Sequence, residues 1–105
     1  MWVIYQIIGI ICITFIHTFN RWAAANAVSF LTRWLVNIGA QAVVAPMFIL
    51  SYALAPSFFQ PWFLGTILIA LCGFGVSLFY FGEVLTLLKI TGAVFGLIGS
   101  VLLIL

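Results

Sequence analysis

Polar and charged residues fall in short clusters along this chain, separated by long apolar runs. The first run extends from Trp2 to about Phe19 and is closed by Asn20, Arg21 and Trp22, a polar, cationic and aromatic set suited to a membrane interface. A second run follows Ala23 to Asn26 and continues to Leu54, and the break after it carries Ala55, Pro56, Ser57, Gln60 and Pro61. The third runs from about Trp62 to Phe81, and Gly82 with Glu83 separates it from a fourth, Val84 to Leu105. About 20 apolar residues make one helical membrane crossing. The pattern therefore predicts an all-α integral membrane protein with four transmembrane helices at about 2–19, 27–54, 62–81 and 84–105, forming a single domain over residues 1–105. Lys89 then lies one to two turns inside the fourth helix, within snorkelling reach of water.

Composition removes the alternatives. Of 105 residues, 68% are hydrophobic, 17% aromatic and 4% charged, the charged ones being Arg21, Arg33, Glu83 and Lys89. A soluble domain carries about a quarter of its residues charged, so soluble enzymes, nucleic-acid binders and disordered tails are excluded together. The net charge of +2 comes from dispersed side chains that make no basic patch, so the expected partner is a lipid bilayer and not nucleic acid. Cys12 and Cys72 lie in apolar runs without a Cys, His or acid at ligand spacing, which suggests neither a disulfide nor a metal site; no cofactor is expected. Trp2 follows Met1 directly and the first positive charge is Arg21, whereas a signal peptide needs a basic stretch before its apolar core, so the first run is expected to remain as a span. Four crossings put Arg21, Arg33 and Lys89 on one side and leave the opposite loop, Pro56 to Pro61, uncharged; by the positive-inside rule both termini are then external.

Few residues are equipped for chemistry. A single His and a single carboxylate leave triad, paired-carboxylate and metal-hydrolase schemes without their parts, so no enzyme is expected and no catalytic residue is assigned. In the second helix Asn26, Ser29, Arg33, Asn37 and Gln41 fall within an arc of about 120°, opposite Leu31, Leu35, Ile38 and Ala42. Such a stripe must face other helices or a water-filled cavity. It reads either as a cavity wall or, if the helix begins only near Trp34, as an interfacial Arg33 with two interhelical hydrogen-bonding amides. In the first helix Gln6, Ile13 and His17 share a face, His17 being either an interfacial residue or a group able to change charge or hold an anion. Glu83 is expected at the start of the fourth helix, at the positive end of its dipole, paired with Arg21 or Arg33 or else coupling protons. Gly92, Gly96 and Ser100, with Gly65, Gly73 and Ser77 in the third helix, are small residues whose spacing favours close helix packing within a protomer or across a dimer. Gly39 and Pro46 predict a kink in the second helix, through packing or beside a substrate path.

The stretch Leu78-Phe-Tyr-Phe-Gly-Glu83-Val-Leu-Thr86, followed by Lys89-Ile-Thr-Gly92 and then Gly96 and Gly99, resembles the closing helix of the drug/metabolite transporter superfamily. Total length, four spans and Ala55-Pro56-Ser57 before the third helix are similar to its small multidrug resistance branch, four-helix half-transporters that work as dimers; before Tyr52 the likeness is topological. The branch's membrane-embedded glutamate in helix 1 is missing from Ile11-Cys-Ile-Thr14-Phe. That departure argues against proton-coupled cation export and for the superfamily's small subunits that move lipid-linked sugars.

The resemblance implies a small multidrug resistance-like subunit of the plasma (bacterial inner) membrane, a homodimer or a heterodimer with a similar four-helix protein. Its substrate would be small or amphiphilic, with phosphate-bearing or lipid-linked molecules suited to Arg33 and His17. Arg33, Asn37 and Gln41 are expected to contact the polar part of that substrate, with Gln6 and His17 facing them and Trp62 or Phe63 offering aromatic surface. A charge bias this uniform disfavours insertion in both orientations, and so favours a split transporter over an antiparallel homodimer. The rival reading is a non-transporting membrane subunit docked on a larger complex.

Overall fold

The computed structural model describes residues 1–104, and all of its regular structure is helical. Helix α1 spans Trp2–Ala25, α2 Phe30–Leu54, α3 Phe59–Gly75 and α4 Leu87–Ile104; a π-helical turn, Val76–Tyr80, prolongs α3. Helices α1 and α2, and α3 taken with its π turn, are long and apolar enough to cross a membrane, whereas α4 is shorter.

Several helix ends differ from the sequence expectation, each for a local reason. Helix α1 runs on to Ala25 instead of ending at Phe19, because Trp22 and the alanines that follow keep the helix going past the polar cluster. It closes when the Val28 N–H bonds the Ala23 carbonyl at 3.0 Å and Ala27 takes a positive φ of 54°, the left-handed position that glycine usually fills. Helix α2 starts at Phe30 and not near residue 27, since Ser29 is extended and its Oγ accepts the Thr32 N–H at 3.3 Å. It then continues through Pro46 to Leu54.

Helix α3 begins at Phe59 rather than Trp62. Pro61 fits its first turn, where a backbone N–H needs no helical partner. Helix α4 begins at Leu87 and not Val84: Gly82 turns the chain with φ +62°, and Thr86 caps the helix through the Lys89 N–H at 3.3 Å. Glu83 therefore lies in a linker and not in the first turn of α4, and its N–H bonds the Ser77 carbonyl at 2.8 Å. The expected last residue of the fourth helix, Leu105, lies outside the described residues.

Helix α1 packs between α2 and α3, and α4 packs on α3. The smallest dimension of the fold is 16 Å, against 43 and 37 Å for the others, so the four helices form little more than one layer. Its centre is small: among the described residues Ile10, Ile16, Ala23, Val44 and Pro61 are buried apolar side chains, with the polar Gln6 and Ser51 buried among the helices. Large apolar side chains such as Ile11, Phe15, Leu35, Phe79 and Phe95 point outward, the exterior that hydrocarbon solvates and water does not.

Candidate functional site

Helix α1 is fastened to its neighbours by two polar junctions. At the end nearer the N-terminus, Gln6 is 2% exposed; its Nε2 donates to the Pro61 carbonyl at 2.7 Å and its Oε1 accepts from Ser51 Oγ at 2.7 Å. One amide thus joins α1, α2 and α3. Gly65 makes room for it, since a Cβ there would stand 2.6 Å from Gln6 Nε2. Gly9 plays a similar part against α2, where a Cβ would meet the Phe48 ring at 2.9 Å. At the other end, Asn20 and Asn37 exchange hydrogen bonds, Asn20 Nδ2 to Asn37 Oδ1 at 3.0 Å and Asn37 Nδ2 to Asn20 Oδ1 at 2.7 Å. Asn37 Nδ2 also reaches the Arg33 carbonyl at 2.7 Å. Both junctions thus satisfy their amides by pairing across helices.

Two cavities lie on the α1–α3 side. One cavity, of about 430 Å³, is lined from α1 by Thr14, His17, Thr18 and Arg21. Its other wall is Ile69, Gly73 and the π turn with Val76 and Ser77, and Phe81 and Glu83 come from the linker. A second cavity, of about 390 Å³, holds Gln6 and Ile10 of α1, Phe48 and Tyr52 of α2, and Trp62, Gly65, Thr66 and Ile69 of α3. The two meet at Ile69. The α1 positions recur at intervals of three or four, as do those of α3, so the cavities are two stations of one groove running along the helices. One station is charged; the other is apolar and aromatic.

The charged station takes its chemistry from local backbone features. Thr14 Oγ1 donates to the Ile10 carbonyl and Thr18 Oγ1 to the Thr14 carbonyl, both at 2.8 Å, so each hydroxyl proton is spent within α1 and each oxygen faces outward as an acceptor. The π turn widens the end of α3, a departure that recurs at functional sites. Gly82 then folds the linker so that the chain's single carboxylate joins its single His and Arg21 around one cavity.

The sequence-derived candidates divide accordingly. His17 lines the charged station, while Gln6 and Trp62 line the apolar one, where Gln6 is at the same time a helix fastener and Trp62 stacks on Phe58 with centroids 5.6 Å apart. The α2 stripe lines neither. Ser29 is a cap, Asn37 is committed to Asn20, Gln41 is exposed on α2, and Arg33 is half-buried with its Nε enclosed and without a hydrogen-bond partner. Gly92 and Gly96 do not pack closely within the protomer, for a Cβ at either would meet nothing within 4 Å. Instead Gly96 and Ser100 border a cavity of about 220 Å³ between α3 and α4.

Arg21, taken from sequence as interfacial, Glu83, taken as a helix-start residue paired with Arg21 or Arg33 or coupling protons, and Thr14, Thr18 and Ser77 join the site only through the fold. Part of that was readable, because Gln6, Ile10, Thr14, His17 and Arg21 repeat at helical spacing along α1. Comparison with protein-family models, with curated proteins and with solved structures gives no match to this chain.

Proposed function

We propose that this chain is a small membrane carrier subunit whose α1–α3 groove guides an amphiphilic substrate across the bilayer. The observation that carries the reading is the pair of cavities meeting at Ile69, one charged and one aromatic, strung along helices of membrane-crossing length. An amphiphile has the same division of character, and small-molecule sites combine an apolar lining with a few placed polar groups. In this reading α4 also crosses: its 18 residues reach about 27 Å, close to the hydrocarbon thickness. The arrangement is then the four-helix half-transporter of the drug/metabolite type suggested by the Gly82-Glu83 to Gly99 segment.

A fold one layer thick leaves the groove open along a face, so a second subunit is needed to close it. Because Arg21, Arg33 and Lys89 sit at the same end, the proposed partner is a similar four-helix protein or a parallel copy, with that end cytoplasmic and both termini outside.

The test is translocation. Purified protein reconstituted in vesicles with a fluorescent single-chain lipid is expected to speed the appearance of that lipid in the outer leaflet, read by quenching with an impermeant reductant. Ile69→Trp, which fills the junction of the two cavities, is expected to remove the effect. Vesicles with correctly inserted protein, tested with and without a co-expressed four-helix partner, that behave like empty vesicles would refute the carrier and favour a subunit that only docks on a larger complex.

A further inference from the structure

The charged station presents both signs of charge, and this narrows the substrate. Resting on the carrier reading, we propose that the station recognises a zwitterionic headgroup, an anionic phosphate or carboxylate together with an ammonium, on an amphiphile whose chain lies toward the aromatic station.

Donors and acceptors at the station are supplied in two sets. Arg21 brings a guanidinium, His17 an imidazole and Ser77 a hydroxyl, the groups that hold an oxyanion. Glu83 brings a carboxylate, and Thr14 and Thr18 bring oxygens whose protons are already bonded to backbone carbonyls, so these three can only accept. A purely anionic headgroup would lie beside Glu83, and a purely cationic one beside Arg21. In either case one like charge opposes binding and one set of protein groups goes unanswered. A headgroup with both charges satisfies both sets at once. The cavity's volume, about 430 Å³, admits a phosphate and an amine with their linking atoms. Beyond Ile69 the lining turns chiefly apolar with Ile10, Phe48, Tyr52 and Trp62, while Gln6 and Thr66 already donate to the Pro61 and Trp62 carbonyls, a surface suited to a hydrocarbon chain.

The experiment uses the full chain in mild detergent and three single-chain probes with the same bromine-labelled acyl or alkyl group. These are lysophosphatidylethanolamine, lysophosphatidylglycerol and a primary alkylamine. Bromine near Trp62 quenches its fluorescence, and Trp62→Phe subtracts the other three tryptophans. The zwitterion is expected to bind about three- to tenfold more tightly than either singly charged probe, the scale of one charge-assisted contact in a partly open site. Glu83→Gln is expected to abolish the preference over lysophosphatidylglycerol, and Arg21→Gln the preference over the alkylamine. Both residues are exposed, so circular dichroism is expected to be unchanged.

Equal binding of all three probes would overturn the headgroup assignment while leaving the groove reading intact. Quenching by none of them would overturn both. Water-soluble phosphoethanolamine is expected not to displace the labelled zwitterion at equal concentration, and displacement would overturn the assignment to an amphiphile.

Discussion

Substituting Gly65 by alanine adds one carbon to the molecule and places it where the Gln6 amide now lies. The new Cβ would stand 2.6 Å from Gln6 Nε2, so the amide must retreat by about 0.8 Å to reach ordinary contact distance. It has little freedom to do so, because its two ends are held at 2.7 Å by the Pro61 carbonyl and by Ser51 Oγ, in a pocket where Gln6 is 2% and Ser51 0% exposed. Retreat weakens both bonds. Interhelical hydrogen bonds in membranes are worth about 0.6 kcal/mol on average and about 1.7 at most, and a buried group left unpaired costs about 1–3. Together these give about 2–3 kcal/mol, from which the better helix propensity of alanine returns at most about 1.

The expected net loss is about 1–2 kcal/mol, measured as reversible unfolding in mixed micelles. Gly73→Ala is the internal control, since a Cβ there meets nothing within 4 Å, and it is expected to be neutral or slightly stabilising. A Gln6→Ala, Gly65→Ala cycle should show a coupling of about 1 kcal/mol or more, as expected for residues in contact. If Gly65→Ala unfolds like Gly73→Ala, the three-helix fastening is not what holds α3 in place.

Three further outcomes follow from other contacts. Asn20→Ala and Asn37→Ala should each destabilise by about 1 kcal/mol and the double substitution by hardly more than either, because the two side chains bond each other; a mixed-micelle cycle that adds up would refute the pairing. Ala27→Gly relieves a positive φ of 54° and is expected to stabilise by about 0.5–1 kcal/mol in thermal unfolding, the gain in strain exceeding the entropy of the added glycine; a loss would show that the turn does not adopt that conformation. Gly96→Ile should leave thermal stability of the protomer within about 0.5 kcal/mol, because the position is open, but should reduce cross-linked dimer if α4 meets a partner there; unchanged dimer would remove α4 from the subunit contact.

How far the structure was legible in the sequence depends on the scale. The positions of the four helices could be read because hydrocarbon demands long uninterrupted apolar runs, and the polar breaks around Asn26, Pro56 and Gly82 fall between them. The helix ends were less readable. Ala27 stands where glycine would have announced a stop, and Pro61, which looks like a breaker, is harmless in a first turn. The candidate site was less readable. Gln6, His17 and Trp62 line the two cavities, whereas of the α2 stripe Asn37 bonds α1 and none of its members lines them. A periodic pattern reports which residues share a face and not which neighbour that face meets. Glu83 illustrates the same gap, for its place on the cavity that His17 also lines depends on the π turn and on Gly82, neither of which leaves an apolar period to detect.

The two polar junctions of α1 are unequal in what they tie. Asn20 and Asn37 join α1 to α2 at one end, and Gln6 joins α1 to both α2 and α3 at the other; among the described residues, the side-chain hydrogen bond from α1 to α3 is found at Pro61 alone. The α1–α2 pair is therefore braced at two points like a plank, whereas α3 is pinned at one, like a lever on a pivot. From Pro61 to Ser77 the lever arm is about 24 Å at helical rise. A swing of about 10° about that pivot would displace the Ser77 end by roughly 4 Å, almost the width of an acyl chain, while the Gln6 end scarcely moves. A lever of that kind would open at the charged end of the groove and turn at the aromatic end.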